Sequence, residues 1–535
     1  MPFFTSHLPF PVNYTLNPVR PANMGFSLPC LSQSLSFFLL LFHFHSTISS
    51  PLSSNYSSSS SSHLCAHHQS LSLLQFKQSF SINSSASWED CQYPKTESWK
   101  VDTDCCLWDG VTCDLKTGHV TALDLSCSML YGTLLPNNSL FSLHHLQQLD
   151  LSFNDFNSSH ISSRFGQFSN LTHLNLSGSD LAGQVPSEIS HLSKMVSLDL
   201  SWNDYVSVEP ISFDKLSFDK LVRNLTKLRE LDLSGVNMSL VVPDSLMNLS
   251  ISLSSLKLNY CRLQGKLPSS MGKFKHLQYL HLGWNNLTGP IPYDFDELVS
   301  FDLSWNNYLN LEPISFDKLV RNLTKLRELD LSGVNMSLVV PDSLMNLSSS
   351  LSSLKLSDCR LQGKLPSSMG KFKHLQYLDL GWNNLTGPIP YDFEQLSELV
   401  SLHLSFNQYL SLEPISFDKI VQNLTKLRDL ALGSVNMSLV APNSLTNLSS
   451  SLSSLSLSNC GLQGKFPGNI FLLPNLESLY LSYNKGLTGS FPSSNLSNVL
   501  LGLGLSNTRI SVYLENHLIN NLKSLEYMLF LIVTL

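Results

Sequence analysis

The strongest constraint on this chain is a spacing. From residue 119 onward the pattern Leu-x-x-Leu-x-Leu-x-x-Asn/Cys-x-Leu recurs about every 24 residues, in about 16 copies up to Ile510. Leu146-x-x-Leu149-x-Leu151-x-x-Asn154, Leu277-x-x-Leu280-x-Leu282-x-x-Asn285-x-Leu287 and Leu375-x-x-Leu378-x-Leu380-x-x-Asn383-x-Leu385 are clear instances. In a strand at Leu-x-Leu both leucines point to one side and the residue between them to the other. One such coil cannot shield its own leucines, so neighbouring coils must stack to remove them from water. Where each coil turns inward, backbone N–H and C=O groups need partners. The recurring Asn, both donor and acceptor, bridges to the backbone of adjacent coils as a ladder. The pattern predicts an α/β solenoid with a parallel β-sheet on its concave face. The 42% of hydrophobic residues supply its core, and Lys+Arg 33 against Asp+Glu 40 leaves net −7 with no basic run. That excludes a nucleic-acid partner, which needs clustered cations to displace counterions from phosphates.

Three copies carry Cys at the ladder position: Cys261, Cys359 and Cys460. Four coils apart, about 19 Å at the usual strand spacing, they are too distant to bond or share a metal. They are expected as buried thiols. A second signature follows the strands: Leu-Ala-Gly-Gln-Val-Pro at 181–186, Leu-Gln-Gly-Lys-Leu-Pro at 263–268 and Leu-Thr-Gly-Pro-Ile-Pro at 287–292. Its Gly permits a tight bend beside the core, and its Pro ends pairing on the convex side. A larger duplication overlies the small one. Val-Arg-Asn-Leu-Thr-Lys-Leu-Arg-Glu-Leu-Asp-Leu starts at Val222 and again at Val320, with a divergent copy at Val421. Doubling of Leu-Ser-Phe-Asp-Lys at 216–220 is expected to fall in a convex loop, where a solenoid tolerates slips.

At the amino end, the apolar run 35–44 is too short to span a membrane as a helix, which needs about 20 residues. It fits the core of a secretory signal, cleaved near Ser46–Ser50. Residues 1–23 are expected as a non-structural extension before a start at Met24, 24–50 as the signal peptide, and 51–62 as a Ser-rich spacer. Six of the ten cysteines lie between Cys65 and Cys127, which reads as a disulfide-stapled cap over 63–118 in an exported protein. Adjacent Cys105 and Cys106 should each reach a separate partner. Cys106 to Cys113 closes a short loop, and Cys65 to Cys105 a long one worth about 4 kcal/mol by chain entropy. Cys91 with Cys127 follows by elimination. His67 and His68 lack a second ligand pair downstream, so no metal is expected, and nothing calls for a cofactor.

The cap and array together resemble plant leucine-rich-repeat receptor-like proteins of the fungal-resistance class. The matching residues are His67-His68-Gln69, Leu73-Leu74-Gln75-Phe76-Lys77, Ser98-Trp99, Asp104-Cys105-Cys106-Leu107-Trp108-Asp109-Gly110-Val111-Thr112-Cys113 and Gly118-His119-Val120. The string Cys-Cys-x-Trp-x-Gly-Val-x-Cys is the most specific part. The likeness covers about residues 63–521. It implies a second short sheet, a right-handed superhelix, and membrane-anchored receptors that detect extracellular ligands and signal through a co-receptor kinase. Residues 119–521 are taken as the repeats and 522–535 as a broken or truncated end. The closing cysteine cap, acidic juxtamembrane stretch and transmembrane helix of that class are not found there, so a plasma-membrane location rests on the resemblance and an extracellular one on the end as given.

Two columns are candidates for ligand contact. The residues between the strand leucines include Asp199, Asp232, Lys257, His281, Asp302, Asp330, Lys355 and Asp379. Asp232 with Lys257, and Asp330 with Lys355, can pair across strands for roughly 0.2–1 kcal/mol; the same Asp also fits a mere repeat consensus. The position before the ladder residue holds Trp202, Trp284, Trp305, Trp382, Phe406 and Tyr483, besides Phe153 and Tyr260. Rigid aromatics suit binding patches because they bury area at little entropic cost, or they pack against one another. Arg229, Glu230 and Asp232 recur as Arg327, Glu328 and Asp330, offering a repetitive polymer the same contacts twice. Asn-x-Ser/Thr sequons at Asn83, Asn137, Asn224, Asn286, Asn322, Asn384, Asn423 and Asn495 are expected to carry glycans in an exported protein; Asn175 is also a sequon but lies in the strand column.

The leading function is therefore an extracellular recognition ectodomain for a peptide, protein or glycan, in defence or developmental signalling. The alternative is a secreted inhibitor of cell-wall-degrading hydrolases, similar to polygalacturonase-inhibiting proteins, whose arrays have about ten coils. An enzyme is not expected. No Gly-x-Ser-x-Gly elbow joins a strand to a helix, and Ser-Phe-Asp-Lys is not a metal-binding Asp-Phe-Gly.

Overall fold

The computed structural model describes residues 64–87, 91–203, 209–491, 500–512 and the backbone of 527–529. The extension, signal and spacer expected over 1–62 lie outside these residues, as does most of 522–535.

The sheet begins in the cap. Val111–Cys113 runs antiparallel to Val120–Asp124, with Val111 opposite Leu123. From there every neighbour is parallel and in register. Leu123 faces Leu149, Leu149 faces Leu174, and the column continues to Leu479 opposite Leu503. Among the described residues sixteen parallel strands lie from Val120–Asp124 to Gly502–Gly504. Tyr527–Leu529 then pairs with Gly502–Gly504. That strand lies within the 522–535 end. Among the described residues the sheet is open, since each terminal strand has a single neighbour.

On the other side of the coils, short parallel sheets recur with the duplication. Gln264–Lys266, Asn286–Pro290 and Tyr308–Asn310 form one; Gln362–Lys364, Asn384–Pro388 and Tyr409–Ser411 form the next. They alternate with longer coils that contain a helix: Lys215–Asn224 before the first, Pro313–Asn322 after it and Pro414–Asn423 after the second. The doubled Leu-Ser-Phe-Asp-Lys therefore lies in a helix rather than the expected loop. Phe316, Leu319 and Val320 are buried at i, i+3 and i+4, so the extra length supplies an apolar face that packs on the core. Pro313 and Pro414 start two of these helices, and the Asp214 side chain caps the third by accepting from Ser217 N at 2.7 Å.

Two disulfides, Cys65–Cys105 and Cys106–Cys113, staple the cap internally, and a third, Cys91–Cys127, ties it to the first coil. Its helix His67–Gln78 buries Leu73 and Phe76. Trp99 stacks on Trp108 with ring centroids 5.5 Å apart and donates its indole N–H to Asp109 O. Gly110 has φ 77°, and a Cβ there would sit 2.1 Å from Asp124 O. This explains the glycine in the cysteine string: it lets the cap touch the first parallel strand.

The ladder works as a two-sided clamp. Asn383 Nδ2 donates to Leu356 O of the preceding coil at 2.7 Å and to Leu380 O of its own, while Oδ1 accepts from Cys359 N and Leu361 N. Asn154, Asn203 and Asn484 bond alike. The three cysteines keep only the donor half: Cys261, Cys359 and Cys460 Sγ each lie 3.1 Å from a carbonyl of the coil before. The coils before them carry Val236, Val334 and Val435 at the ladder place, and each of these valines satisfies its own N–H on the leucine carbonyl three residues back. No acceptor is missed, so a thiol suffices. Burial pushes the Cys359 thiol far up and that of Cys460 up to about 12, which keeps both protonated and unreactive.

Asn383→Ala leaves two N–H groups and two carbonyls of the clamp without their side-chain partner, at about 1–3 kcal/mol for each left unsatisfied. It should destabilise by about 2–4 kcal/mol in urea unfolding, and Cys359→Ala by less. An equal loss for both would contradict the clamp.

Candidate functional site

On the open side of the long sheet two residues of every strand face outward, two positions apart. The expected column is in register: Asp199, Asp232, Lys257, His281, Asp302, Asp330, Lys355 and Asp379 lie opposite one another on successive strands. A second column, of which only Glu230 and Glu328 stood out in the sequence, runs beside it through Glu230, Ser255, Tyr279, Ser300, Glu328, Ser353 and Tyr377. The period of two alone could have revealed it.

Much of the acidic column has a local task. Asp150, Asp199 and Asp302 Oδ1 each accept from both the N–H and the hydroxyl of the Ser two residues on, closing the strand end in an Asx turn. Asn175 makes the same two bonds. Lys257 Nζ lies 3.6 Å from Asp232 and Lys355 Nζ 4.0 Å from Asp330, pairs of modest worth at partial exposure.

Burial raises the carboxyls of Asp150, Asp302, Asp330 and Asp379. Burial and the neighbouring Asp232 charge push that of Asp199 up, to about 7. Burial and the Lys257 charge push His281 down to about 4. For His403, burial acts downward, but the hydrogen bond and charge of Asp429 raise it overall.

The aromatic row sits three residues past each strand. Trp202, Trp284, Trp305, Trp382, Phe406 and Tyr483 all have φ between 54° and 64°. All sixteen coils are left-handed there, and Gly178, Gly235 and Gly333 occupy the same place. Those glycines were the signal in the sequence. A left-handed side chain costs about 1 kcal/mol, and an aromatic contact returns about as much. Tyr260 stacks on Trp284 at 4.9 Å with planes 12° apart, Trp284 lies 5.0 Å from Trp305, and Trp382 stacks on Phe406 at 3.8 Å. Trp202 reaches Tyr260 across Gly235 at 5.6 Å. The rings nevertheless stay open to solvent: Trp284 is 45% and Trp382 60% exposed. Self-packing and an exposed surface therefore coexist.

A family model described as the leucine rich repeat N-terminal domain matches residues 66–114, and leucine rich repeat models match 142–159, 170–192, 276–298, 349–408 and 451–473. The chain is 44% identical over 237 residues to Receptor-like protein Cf-9 of Solanum pimpinellifolium, covering 43% of this chain and 26% of that one. It is 34% identical over 460 residues to Receptor-like protein 41 of Arabidopsis thaliana, covering 81% of this chain and 48% of the relative. The chain is thus similar, over the parts matched, to plant leucine-rich-repeat receptor-like proteins. It spans between a quarter and a half of these relatives' length. Among solved structures, the plant peptide hormone receptor RGFR1 in complex with RGF2 superposes with a TM-score of 0.49 at 24% identity, covering 78% of each chain.

Among the described residues no helix is long and apolar enough to cross a membrane. Of the sequons, Asn83, Asn137, Asn224, Asn286, Asn384 and Asn423 are exposed and Asn322 is half-buried, while Asn495 lies outside the described residues. Asn175 donates to Asp150 within the column.

Asp199→Asn should raise the thermal midpoint, and more at about pH 8 than at about pH 5. A carboxyl raised from 3.8 stabilises the fold fully only below that value and loses this as pH rises through its folded pKa. Asn has no proton to lose and keeps the bonds that Asn175 already makes. Equal shifts at both pH values would remove burial of the charge as the cause.

Proposed function

We propose that this chain is the extracellular recognition part of a receptor-like protein, which binds a peptide, protein or glycan on its concave face and signals through a separate kinase. The exposed aromatic row carries the reading. Side chains of low rotamer freedom, fixed by stacking and by a left-handed backbone, form a pre-ordered surface beside two columns of polar groups, the combination that binding hot spots favour. Chemistry needs a closed, dry cavity, whereas among the described residues the pocket at Leu402, Phe417 and Leu430 is a small apolar void inside the core, away from this face. Partner kinase, defence role and a plasma-membrane setting are part of the proposal and rest on the relatives. A secretory route is supported by the three disulfides.

The test is a binding screen of the full chain, produced through a secretory pathway, against cell-wall oligosaccharides and synthetic peptide pools. Trp284→Ala combined with Trp382→Ala should weaken the binding of any captured ligand by about tenfold or more, as loss of two hot-spot rings implies, with the fold retained and the melting midpoint lowered only slightly by the lost stacking. Undiminished binding in a folded double variant would remove the row from the site.

A further inference from the structure

The two near-identical blocks do not offer the same contacts twice. Val222–Phe295 and Val320–Phe393 differ at four of 74 positions. One difference, Ile251 against Ser349, lies in an exposed turn away from the sheet. The other three fall together on the open face and its aromatic edge: Asn259 against Ser357, Tyr260 against Asp358, and His281 against Asp379. In the first block Asn259 Oδ1 accepts from Gly283 N at 2.7 Å, two residues beyond His281. Change has collected at one spot while the coil around it stayed fixed.

The physical effect is a change of charge and cover. In the first block Tyr260 lies flat on Trp284. In the second, Asp358 stands in Tyr260's place with the same left-handed backbone. Trp382, the equivalent of Trp284, is correspondingly 60% exposed rather than 45%. An uncovered indole face beside a carboxylate suits a cation, which gains from the ring's quadrupole and from the charge together. Asp379 adds a second carboxylate where the first block has an imidazole, and among the described residues neither Asp358 nor Asp379 is in an ion pair. The matching position of the first block, with Tyr260 on Trp284, offers apolar surface. The two places are four strands apart, about 19 Å, or about six residues of extended chain.

We propose that the concave face binds an extended peptide that sets a Lys or Arg side chain against Trp382 and Asp358, and an apolar side chain about six residues away against Tyr260 and Trp284. This rests on the reading of that face as the ligand surface. Two of the differing positions, Tyr260 against Asp358 and His281 against Asp379, set which end of the face takes the cation.

The duplication supplies its own controls, because each swapped residue is native to the sister block. The full chain selects binders from a displayed library of random 12-residue peptides. The recovered peptides are then measured on D358Y/D379H, on Y260D/H281D and on W284A/W382A. The expected result is a basic residue in the selected peptides, loss of about tenfold or more on D358Y/D379H, and on Y260D/H281D a loss that is reversed when the apolar residue of the peptide is replaced by Lys. Peptides without a basic residue, or equal binding to D358Y/D379H, would overturn the inference. If such peptides still lose affinity on W284A/W382A, the concave face remains the ligand surface; if they do not, that reading falls as well. Recovery of no peptide at all also overturns the inference, and loss of oligosaccharide binding on W284A/W382A would then leave the broader reading standing.

Discussion

Every coil of this protein is incomplete alone. Its strand leucines are shielded by the leucines of the next strand, and in most coils its inward-turned carbonyl is met by an Asn, Cys or Ser from the coil that follows. Both interactions are between neighbours, so stability is passed from coil to coil rather than gathered at one centre. The disulfide-held cap answers this at the amino end, where the first parallel strand would otherwise show a bare edge. Gly110 is the point at which that cover is fitted, because no side chain has room between the cap and Asp124.

That dependence also shapes the outer surface. The register of the leucines fixes the register of everything between them, so the outward columns are as ordered as the core. The left-handed residue after each strand turns the chain toward the ladder Asn and leaves its own side chain at the sheet edge. Aromatic residues are poor candidates for such a backbone, and their stacking returns what the conformation costs. An edge that looks like a collection of exposed rings is thus a consequence of how the coil is closed.

The fold was legible in the sequence because its period is short, repeated many times and tied to one physical need. The Asp of Leu-Asp-Leu illustrates where legibility ended: spacing placed it on the open face, but its bonds to Ser201 or Ser304 depend on the turn and appear only in three dimensions. The helices of the long coils were missed for another reason. Phe316, Leu319 and Val320 have helical spacing, but over so short a stretch that the dominant repeat pattern hides it. The left-handed edge was written in Gly178, Gly235 and Gly333, residues that make sense only when aligned with Trp202 and Trp284.

The block duplication has a consequence for the gene as much as for the protein. Since the coils that flank each block meet almost the same neighbours, crossing-over between the copies at 222 and 320 would yield chains four coils shorter or longer in which every junction is already tried. Such a molecule gains or sheds a stretch of its inner surface without rebuilding its interior, so the length of the surface can vary between relatives faster than its architecture.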